Sequence, residues 1–290
     1  MSALTVRAYA KINLYLDVVG KRPNGYHELI TLMQSVSLYD TLTVERTCKE
    51  GVALETGGVL PADDSNLICR AARAYFARSG QPFGVSVTLD KQIPMQAGMG
   101  GGSADAAAML RTLNTLDGER FTLEELCEIG ATIGADVPFC VVGGTCLCRG
   151  IGEVMEPIAN NLQGTLVVAI GGEGVSTPAA FRELDRRYGD FAQENEKSAP
   201  VALLNAMADG DLDVAAPCFY NMFEEVIEPI RPVVGEIKGM MTAKGARATM
   251  MSGSGPSVWG LFPNAAMAEA AKQALIAMGA RAFVCRMCKE

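Results

Sequence analysis

The sequence predicts an α+β protein of two domains. Apolar and polar residues alternate along most of residues 4–46, which is the period of strands with one buried face. Helical periodicity begins near residue 66, and a second series of strands and helices follows from about residue 160. Strands, glycine-rich loops and helices alternate without a repeating β–α–β period, which favours a two-layer sheet over a doubly wound one. We therefore expect domains at residues 1–158 and 159–290.

The N-terminal half predicts a strand-rich sheet followed by helices. Four strands are predicted at residues 4–10, 12–19, 29–38 and 41–46. Ser65 is placed to cap a helix over residues 66–79, and a strand over residues 84–89 leads into a glycine-rich stretch. Beyond that stretch, Thr122 and Glu125 match a capping box, which opens a further helix.

The C-terminal half predicts a sheet with helices on one side. Strands are predicted at residues 165–170, 246–251, 257–262 and 281–285. Helices are predicted near residues 179–188, 201–208, 229–244 and 265–278. A cleft between the two units would hold the ligands, as clefts between domains commonly do.

Length and composition indicate a chain with a large apolar core. Its 290 residues are 49% hydrophobic and 20% charged. The chain has no apolar run of about 18 residues and no signal peptide at its beginning, which predicts a cytoplasmic protein. The net charge of −8 argues against a nucleic-acid or membrane partner, since either would require a basic patch. We expect small-molecule partners and a monomer or weak homodimer.

The glycine-rich stretch, residues 94–105 (P-M-Q-A-G-M-G-G-G-S-A-D), predicts a phosphate site. Glycines adopt positive φ and carry no Cβ, so consecutive N–H groups can converge on an anion at a helix N-terminus. Ser103 is placed to cap the helix that follows. The stretch is not a Walker A loop, because no lysine follows the glycines. Nor is it a dinucleotide fingerprint, because Ser103 stands where the third glycine belongs.

A lysine and an acid far apart in the sequence are candidates for the reacting site. Lys11 and Asn13 share one face of a predicted strand. Asp136 lies in a G-A-D-V-P turn, between a helix end and an apolar run that predicts a strand. A buried aspartate requires a partner, and Lys11 is a candidate. The alternative is an ion pair that only orders the turn.

A third motif, residues 250–259 (M-M-S-G-S-G-P-S-V-W), connects two predicted strands. On its own it would be an ordinary Gly-Ser connection. Together, the three motifs resemble those of the GHMP kinases, in which a P-x-x-x-G-[LM]-G-x-[GS]-S loop wraps the ATP phosphates. The resemblance implies an N-terminal ribosomal protein S5 domain 2-like fold and a ferredoxin-like C-terminal domain.

The same resemblance implies an ATP-dependent phosphotransferase. Asp136 would be the general base on the acceptor hydroxyl, and Lys11 would keep it ionised and stabilise the transferring charge. Asn66 and Lys91 are candidates near the nucleotide, and Gly253 and Ser254, with Gly255, would reach the phosphates or support the first loop. The phosphate loop itself would comprise Pro94, Met95, Gln96, Ala97, Gly98, Met99, Gly100, Gly101, Gly102, Ser103 and Ala104.

Magnesium should accompany ATP, although the sequence predicts no dedicated metal ligands. Ala104 stands where other members of the family often have a second serine. Ser103 is therefore the one hydroxyl expected at that place in the loop.

The stretch R-P-N-G-Y-H-E-L at residues 22–29 indicates which substrate accepts the phosphoryl group. With A-Y-A-K-I-N-L-Y-L before it, it resembles one branch of the GHMP kinases. Members of that branch phosphorylate the 2-hydroxyl of a cytidine-diphosphate-linked methylerythritol in non-mevalonate isoprenoid synthesis. By this resemblance Tyr26 would stack on the cytosine and His27 would hydrogen-bond its edge. The resemblance places further residues at the substrate: Asn13, Asp136, Thr177 and Phe181, the last as a second stacking ring.

Two other functions stay open on the sequence alone. A GHMP kinase for homoserine or a mevalonate-like acid would need arginine or lysine directed at a carboxylate. A non-catalytic ligand-binding relative would be expected to lack Lys11 or Asp136, and this chain has both. The nine cysteines lack a second pair at zinc-site spacing and are expected to be buried or incidental free thiols.

Overall fold

A computed structural model describes residues 3–189 and 200–289 of the chain. The strands are β1 (Leu4–Lys21), β2 (His27–Thr47), β3 (Gly51–Glu55), β4 (Gly84–Asp90), β5 (Thr145–Gly150), β6 (Val154–Pro157), β7 (Thr165–Ile170), β8 (Tyr220–Asn221), β9 (Ala248–Met251), β10 (Val258–Phe262) and β11 (Arg281–Cys285). The helices are α1 (Leu67–Ser79), α2 (Gly101–Leu116), α3 (Leu123–Ala131), α4 (Val137–Val142), α5 (Thr177–Tyr188), α6 (Val201–Asp209), α7 (Leu212–Ala215), α8 (Glu224–Ile227), α9 (Pro232–Ala243) and α10 (Ala265–Ala277).

The first sheet has seven strands, in the order β3-β4-β2-β1-β8, with β5 beside β2 and β6 beside β5. Its centre is the long antiparallel pair of β1 and β2. The pairing register shifts between Tyr9 and Lys11 and again between Asn13 and Tyr15, so a single bent strand replaces the two predicted at 4–10 and 12–19. Helix α2 packs against β1 and α1, which fixes its N-terminus beside the middle of β1.

The second sheet has four antiparallel strands in the order β11-β7-β10-β9. This is the strand order of the β-α-β-β-α-β arrangement, and helices α9 and α10 pack on the sheet. The predicted ferredoxin-like C-terminal unit is therefore confirmed. Among the described residues, no helix is long and apolar enough to cross a bilayer.

Several predicted details of the elements were wrong. Asn66, not Ser65, caps α1, because its side chain accepts from the N–H of Ile68 at 2.9 Å. Ser103 does not cap α2; the cap position is Gly100, with φ of 65°, and Ser103 lies inside the first turn. The apolar run after Asp136 forms helix α4 and not a strand. A short apolar run has no decisive period, and a proline in its first turn favours a helix start.

Two buried clusters form the core of the described part of the chain, and β1 contributes to both. The larger lies between the first sheet and helices α1 to α4, and it includes Ile12 and Leu14 of β1. The smaller lies under the second sheet, and it includes Leu16 and Val18 of the same strand. Trp259 of β10 is fully buried, and its indole N–H donates to the carbonyl of Asn13 at 2.9 Å. The first strand therefore joins the two units.

The boundary at residues 158 and 159 stays a prediction.

Candidate active site

The glycine-rich stretch forms a tight loop that ends on the N-terminus of α2. Gly98 and Gly100 have φ of 75° and 65°, a region that favours glycine. The first N–H groups of a helix have no acceptor within it, and the helix dipole makes this end attractive to anions. A Cβ on Gly100 would lie 3.0 Å from Cγ of Lys11, so the loop also rests on the strand that carries this lysine.

The second glycine motif supports this loop directly. The Ser252 hydroxyl accepts from the N–H of Asn13 at 3.2 Å and donates to the carbonyl of Gly98 at 3.1 Å. A Cβ on Gly98 would lie 2.4 Å from the Ser252 carbonyl oxygen, so the two loops approach as closely as glycine permits. Gly253 has φ of 57°, and the hydroxyl of Ser254 lies 2.8 Å from that of Thr177. Ser252, which sequence reasoning missed, makes the contact between the loops.

Lys11 and Asp136 meet in space. Nζ of Lys11 donates to Oδ1 of Asn13 at 2.9 Å and lies 3.4 Å from Oδ2 of Asp136. The lysine is 5% exposed, whereas the Asp136 side chain is 38% exposed. The expectation that this aspartate would be buried was therefore wrong. Its carboxylate faces the open cleft, where a ligand can reach it.

A buried cluster of two carboxylates and one ammonium lies under the loop. Nζ of Lys91 is 2.5 Å from Asp40 and 2.8 Å from Asp105, and all three side chains are almost fully buried. Asp40 also accepts from the N–H groups of Gln92 and Ile93, just before the loop. Burial, with the neighbouring Asp40 carboxylate and against the effect of Lys91, raises the pKa of Asp105 to about 7. Lys91 lies near the predicted nucleotide site, but its ammonium group already pairs with the carboxylates of Asp40 and Asp105.

The Tyr26–His27 turn lies at the start of β2. Tyr26 is 60% exposed, whereas His27 is buried and its Nε2 lies 2.7 Å from Oδ1 of Asp185. The His27 and Phe181 rings are stacked, with centroids 4.5 Å apart and planes inclined by 15°. Phe181, which the resemblance suggested as a second stacking ring for the base, therefore stacks on His27 itself. A base on that face of Phe181 would have to displace His27.

One cleft of about 940 Å³ brings most of the predicted residues together. Its lining includes Lys11, Asn13, Tyr26, His27, Lys91, Pro94 to Ser103, Asp136, Thr177, Phe181, Gly253 and Ser254. Asn66 and Ala104 are not part of the lining; Asn66 caps α1, while its neighbour Leu67 lines the cleft. Sequence reasoning missed Arg182 and Asp185, which line the cleft from α5. Asp185 shares one helical face with Phe181, and this spacing was the sequence signal from which Asp185 could have been predicted.

Comparisons with known proteins identify the family of this chain. The family model of the GHMP kinases N terminal domain matches residues 66–144, and that of the GHMP kinases C terminal matches residues 201–281. The chain therefore belongs to the GHMP kinases, and it is an ATP-dependent phosphotransferase.

Several curated relatives that match most of this chain are named 4-diphosphocytidyl-2-C-methyl-D-erythritol kinase. The protein from Moorella thermoacetica is 44% identical over 90% of this chain and 90% of its own length. The protein from Gloeobacter violaceus is 39% identical over 99% of this chain and 95% of its own length.

Solved structures share the fold of this chain. A crystal structure of 4-(cytidine 5'-diphospho)-2C-methyl-D-erythritol kinase is 36% identical and superimposes with a TM-score of 0.81, covering 98% of this chain and 99% of that one. Homoserine kinase from Cytophaga hutchinsonii shares the fold, with a TM-score of 0.75 at 20% identity, over 100% of this chain and 96% of that one.

Proposed function

We propose that this protein transfers the γ-phosphoryl group of ATP to the 2-hydroxyl of 4-diphosphocytidyl-2-C-methyl-D-erythritol, a step of non-mevalonate isoprenoid synthesis. The observation that carries the proposal is that the Lys11–Asp136 pair, the phosphate loop and the Tyr26–His27 turn line one cleft. The names of relatives 37–44% identical over at least 90% of the chain support it. The proposal includes a cytoplasmic location and a monomer or weak homodimer.

The phosphate loop would hold ATP through its backbone. N–H groups at the N-terminus of α2 would donate to phosphate oxygens, and the helix dipole would stabilise their charge. Ser252 holds the carbonyl of Gly98 in place from the other unit. The cradle would therefore exist before the nucleotide arrives, which reduces the cost of ordering it.

Magnesium fits this site as an ion carried by the nucleotide. Within residues 3–189 and 200–289, no three His, Cys, Asp or Glu residues are grouped as a metal cage. Mg²⁺ usually keeps water and phosphate oxygens as most of its ligands, and the Ser103 hydroxyl in the cleft wall would be a further oxygen. When bound, the ion would neutralise charge on the phosphates.

Asp136 would act as the general base. Its exposed carboxylate would take the proton from the 2-hydroxyl as that oxygen forms its bond to the γ-phosphorus and the bond to ADP breaks. The Lys11 side chain, held by Asn13 at 2.9 Å, would stabilise the negative charge on the attacking oxygen. Both substrates would be positioned in line, which is the main contribution of a protein to phosphoryl transfer.

The cytidine end of the acceptor would lie at the Tyr26–His27 turn. Tyr26 offers an exposed ring for stacking, and His27 offers a ring nitrogen at the cleft wall. The hydroxyl of Thr177, at the N-terminus of α5, would lie near the acceptor in the same cleft.

The test is ATP consumption by the purified protein with magnesium, with three acceptors offered in parallel. We expect turnover with the cytidylylated methylerythritol and none with homoserine or mevalonate. Asp136→Asn should reduce kcat by about 10²–10⁴-fold, the usual contribution of a positioned base. Turnover with homoserine or mevalonate would support kinase activity but would refute the proposed acceptor substrate. No turnover with any acceptor would favour a ligand-binding protein without activity.

A further inference from the structure

Helix α5 presents one face to the substrate cleft. Pro178, Phe181, Arg182 and Asp185 line the cleft, at the three- and four-residue spacing of a single helical stripe. Asp185 reaches from this stripe to the end of the β1–β2 hairpin and contacts it twice. Its Oδ1 lies 2.7 Å from Nε2 of His27, and its Oδ2 accepts from Nζ of Lys21 at 2.8 Å.

Asp185 is held in its ionised form. Partial burial opposes its charge, but the hydrogen bonds from Lys21 and His27 outweigh this effect and lower the pKa of Asp185 below the usual value. An ionised carboxylate can only accept hydrogen bonds, so the ring nitrogen 2.7 Å away must carry the proton. The carboxylate thereby selects the form of His27 that is protonated on Nε2.

Asp185 and Phe181 fix the ring of His27 from different directions. The Asp185 carboxylate fixes the direction of the Nε2–H bond, and stacking on Phe181 fixes the plane of the ring. When the ring is neutral and Nε2 is protonated, Nδ1 is an acceptor. A substrate group that reaches Nδ1 must then be a donor, such as the amino group of cytosine, whereas uracil has a carbonyl oxygen at that position.

We propose that Asp185 is a positioning residue that fixes the tautomer and orientation of His27 and so selects cytosine over uracil in the acceptor. This inference rests on the proposed function, and it assigns to α5 a part in substrate recognition. Asp185 acts through His27, not through the reacting atoms.

A purely structural role for Asp185 makes a different prediction. The Lys21–Asp185 pair alone could tie α5 to the hairpin, since these two residues come from different units of the fold. Lys21→Met removes this tie and leaves the contact with His27 unchanged. Glu183→Gln removes another carboxylate of the same helix, one that pairs with Arg186 on the exposed surface. These two variants are the matched controls for Asp185→Ala.

The first measurement is nitrogen-15 NMR of the imidazole, which does not depend on activity. His27 is the only histidine in the chain, so its ring signals need no assignment. We expect the proton on Nε2 in the wild type, Lys21→Met and Glu183→Gln, and a mixture of tautomers in Asp185→Ala. An identical tautomer pattern in Asp185→Ala would overturn the inference.

The second measurement is steady-state kinetics with the cytidylylated acceptor and its uridylylated analogue. Asp185→Ala should raise KM for the cytidylylated acceptor about tenfold and reduce the preference for cytosine, since one charge-assisted hydrogen bond corresponds to a factor of that order. KM for ATP and kcat should change less than about twofold. Changes this small would exclude general unfolding of the variant.

The failures of the two proposals are distinguishable. A wild type that turns over the cytidylylated acceptor, with Asp185→Ala showing unchanged KM and unchanged base preference, would overturn this inference alone. If Lys21→Met showed the same kinetic loss while its His27 tautomer stayed unchanged, this inference would also be overturned. The result would indicate that Asp185 acts by tying α5 to the hairpin. A wild type without turnover of the cytidylylated acceptor would overturn the proposed function, and this inference with it.

Discussion

Nζ of Lys11 lies 3.4 Å from Oδ2 of Asp136, although the two residues are 125 positions apart in the sequence. The lysine comes from the central strand of the first sheet, and the aspartate immediately precedes α4. Because β1 and α4 belong to one packed core, the fold itself brings the two charges to this distance.

Lys11→Met should remove most of the activity. The variant lacks the cation that we propose stabilises the attacking oxygen, and we expect kcat to fall about 10²–10³-fold with little change in either KM. Lys11→Arg should not restore the rate, because Gly100 packs against the aliphatic part of Lys11 and leaves little room for a planar guanidinium. Single-turnover phosphoryl transfer measures the effect, with the surface variant Lys272→Met as control. A kcat within fivefold of the wild type would contradict the proposed role.

Tyr26→Ala should weaken binding of the acceptor selectively. The ring is 60% exposed, so its removal costs little stability. Stacking on a base contributes about 1–3 kcal/mol, which corresponds to a rise of about 5- to 150-fold in KM for the cytidylylated acceptor. KM for ATP should stay constant. Tyr188→Ala, at the far end of α5, is the matched control, and equal effects of the two variants would argue against a stacking role.

Gly98→Ala should distort the phosphate loop. An alanine there has an unfavourable φ of 75° and a Cβ 2.4 Å from the Ser252 carbonyl oxygen. Gly118→Ala is the matched control, since Gly118 has φ of 77° but no atom within 4 Å of the added Cβ. We expect a loss of about 1–2 kcal/mol for Gly118→Ala and at least about 3 kcal/mol for Gly98→Ala in urea unfolding, with a raised KM for ATP only in the latter. Equal losses in both variants would show that the close approach of the two loops is unimportant.

Asp105→Asn should change how stability depends on pH. Burial raises the pKa of Asp105 from 3.8 to about 7, so between these values the folded protein retains a proton that the unfolded chain has lost. The contribution of this group to the free energy of unfolding therefore decreases as pH rises from about 4 to about 7 and is constant above that range.

The asparagine variant lacks this titration. Relative to the wild type, it should gain on the order of 2–4 kcal/mol between pH 5 and pH 8, measured by urea unfolding at both values. Asp90→Asn, an exposed aspartate of the neighbouring strand, is the control and should show no such change. Parallel pH profiles for Asp105→Asn and the wild type would exclude a protonated Asp105.

Local sequence patterns predicted much of the fold. The capping box at Thr122 is present, and the alternation of residues 281–285 corresponds to β11. The pattern failed where an element was short or where its pairing register shifts. Helix α4 has six residues with no decisive period, and register shifts in β1 break its alternation, so that one bent strand has the pattern of two.

Sequence motifs predicted those residues of the candidate site whose positions follow from local structure. Lys11 and the glycine loop could be placed because strand faces and helix termini follow from spacing. The contacts of Ser252 and Asp185 could not be predicted, since both depend on how the second unit packs against the first. The family resemblance also suggested Phe181 as a second ring that stacks on the base, whereas in the structure this ring stacks on His27.

The division of β1 between two cores has a consequence for synthesis of the protein. Leu16 and Val18 are made early, but their packing partners include Phe223, Val226 and Met251, which are translated some 200 residues later. Until those residues emerge from the ribosome, one end of the first strand must stay uncovered. Such long-range pairing slows folding. The nascent chain is therefore expected to expose an apolar strand end to chaperones, and folding of the first unit alone cannot hide it.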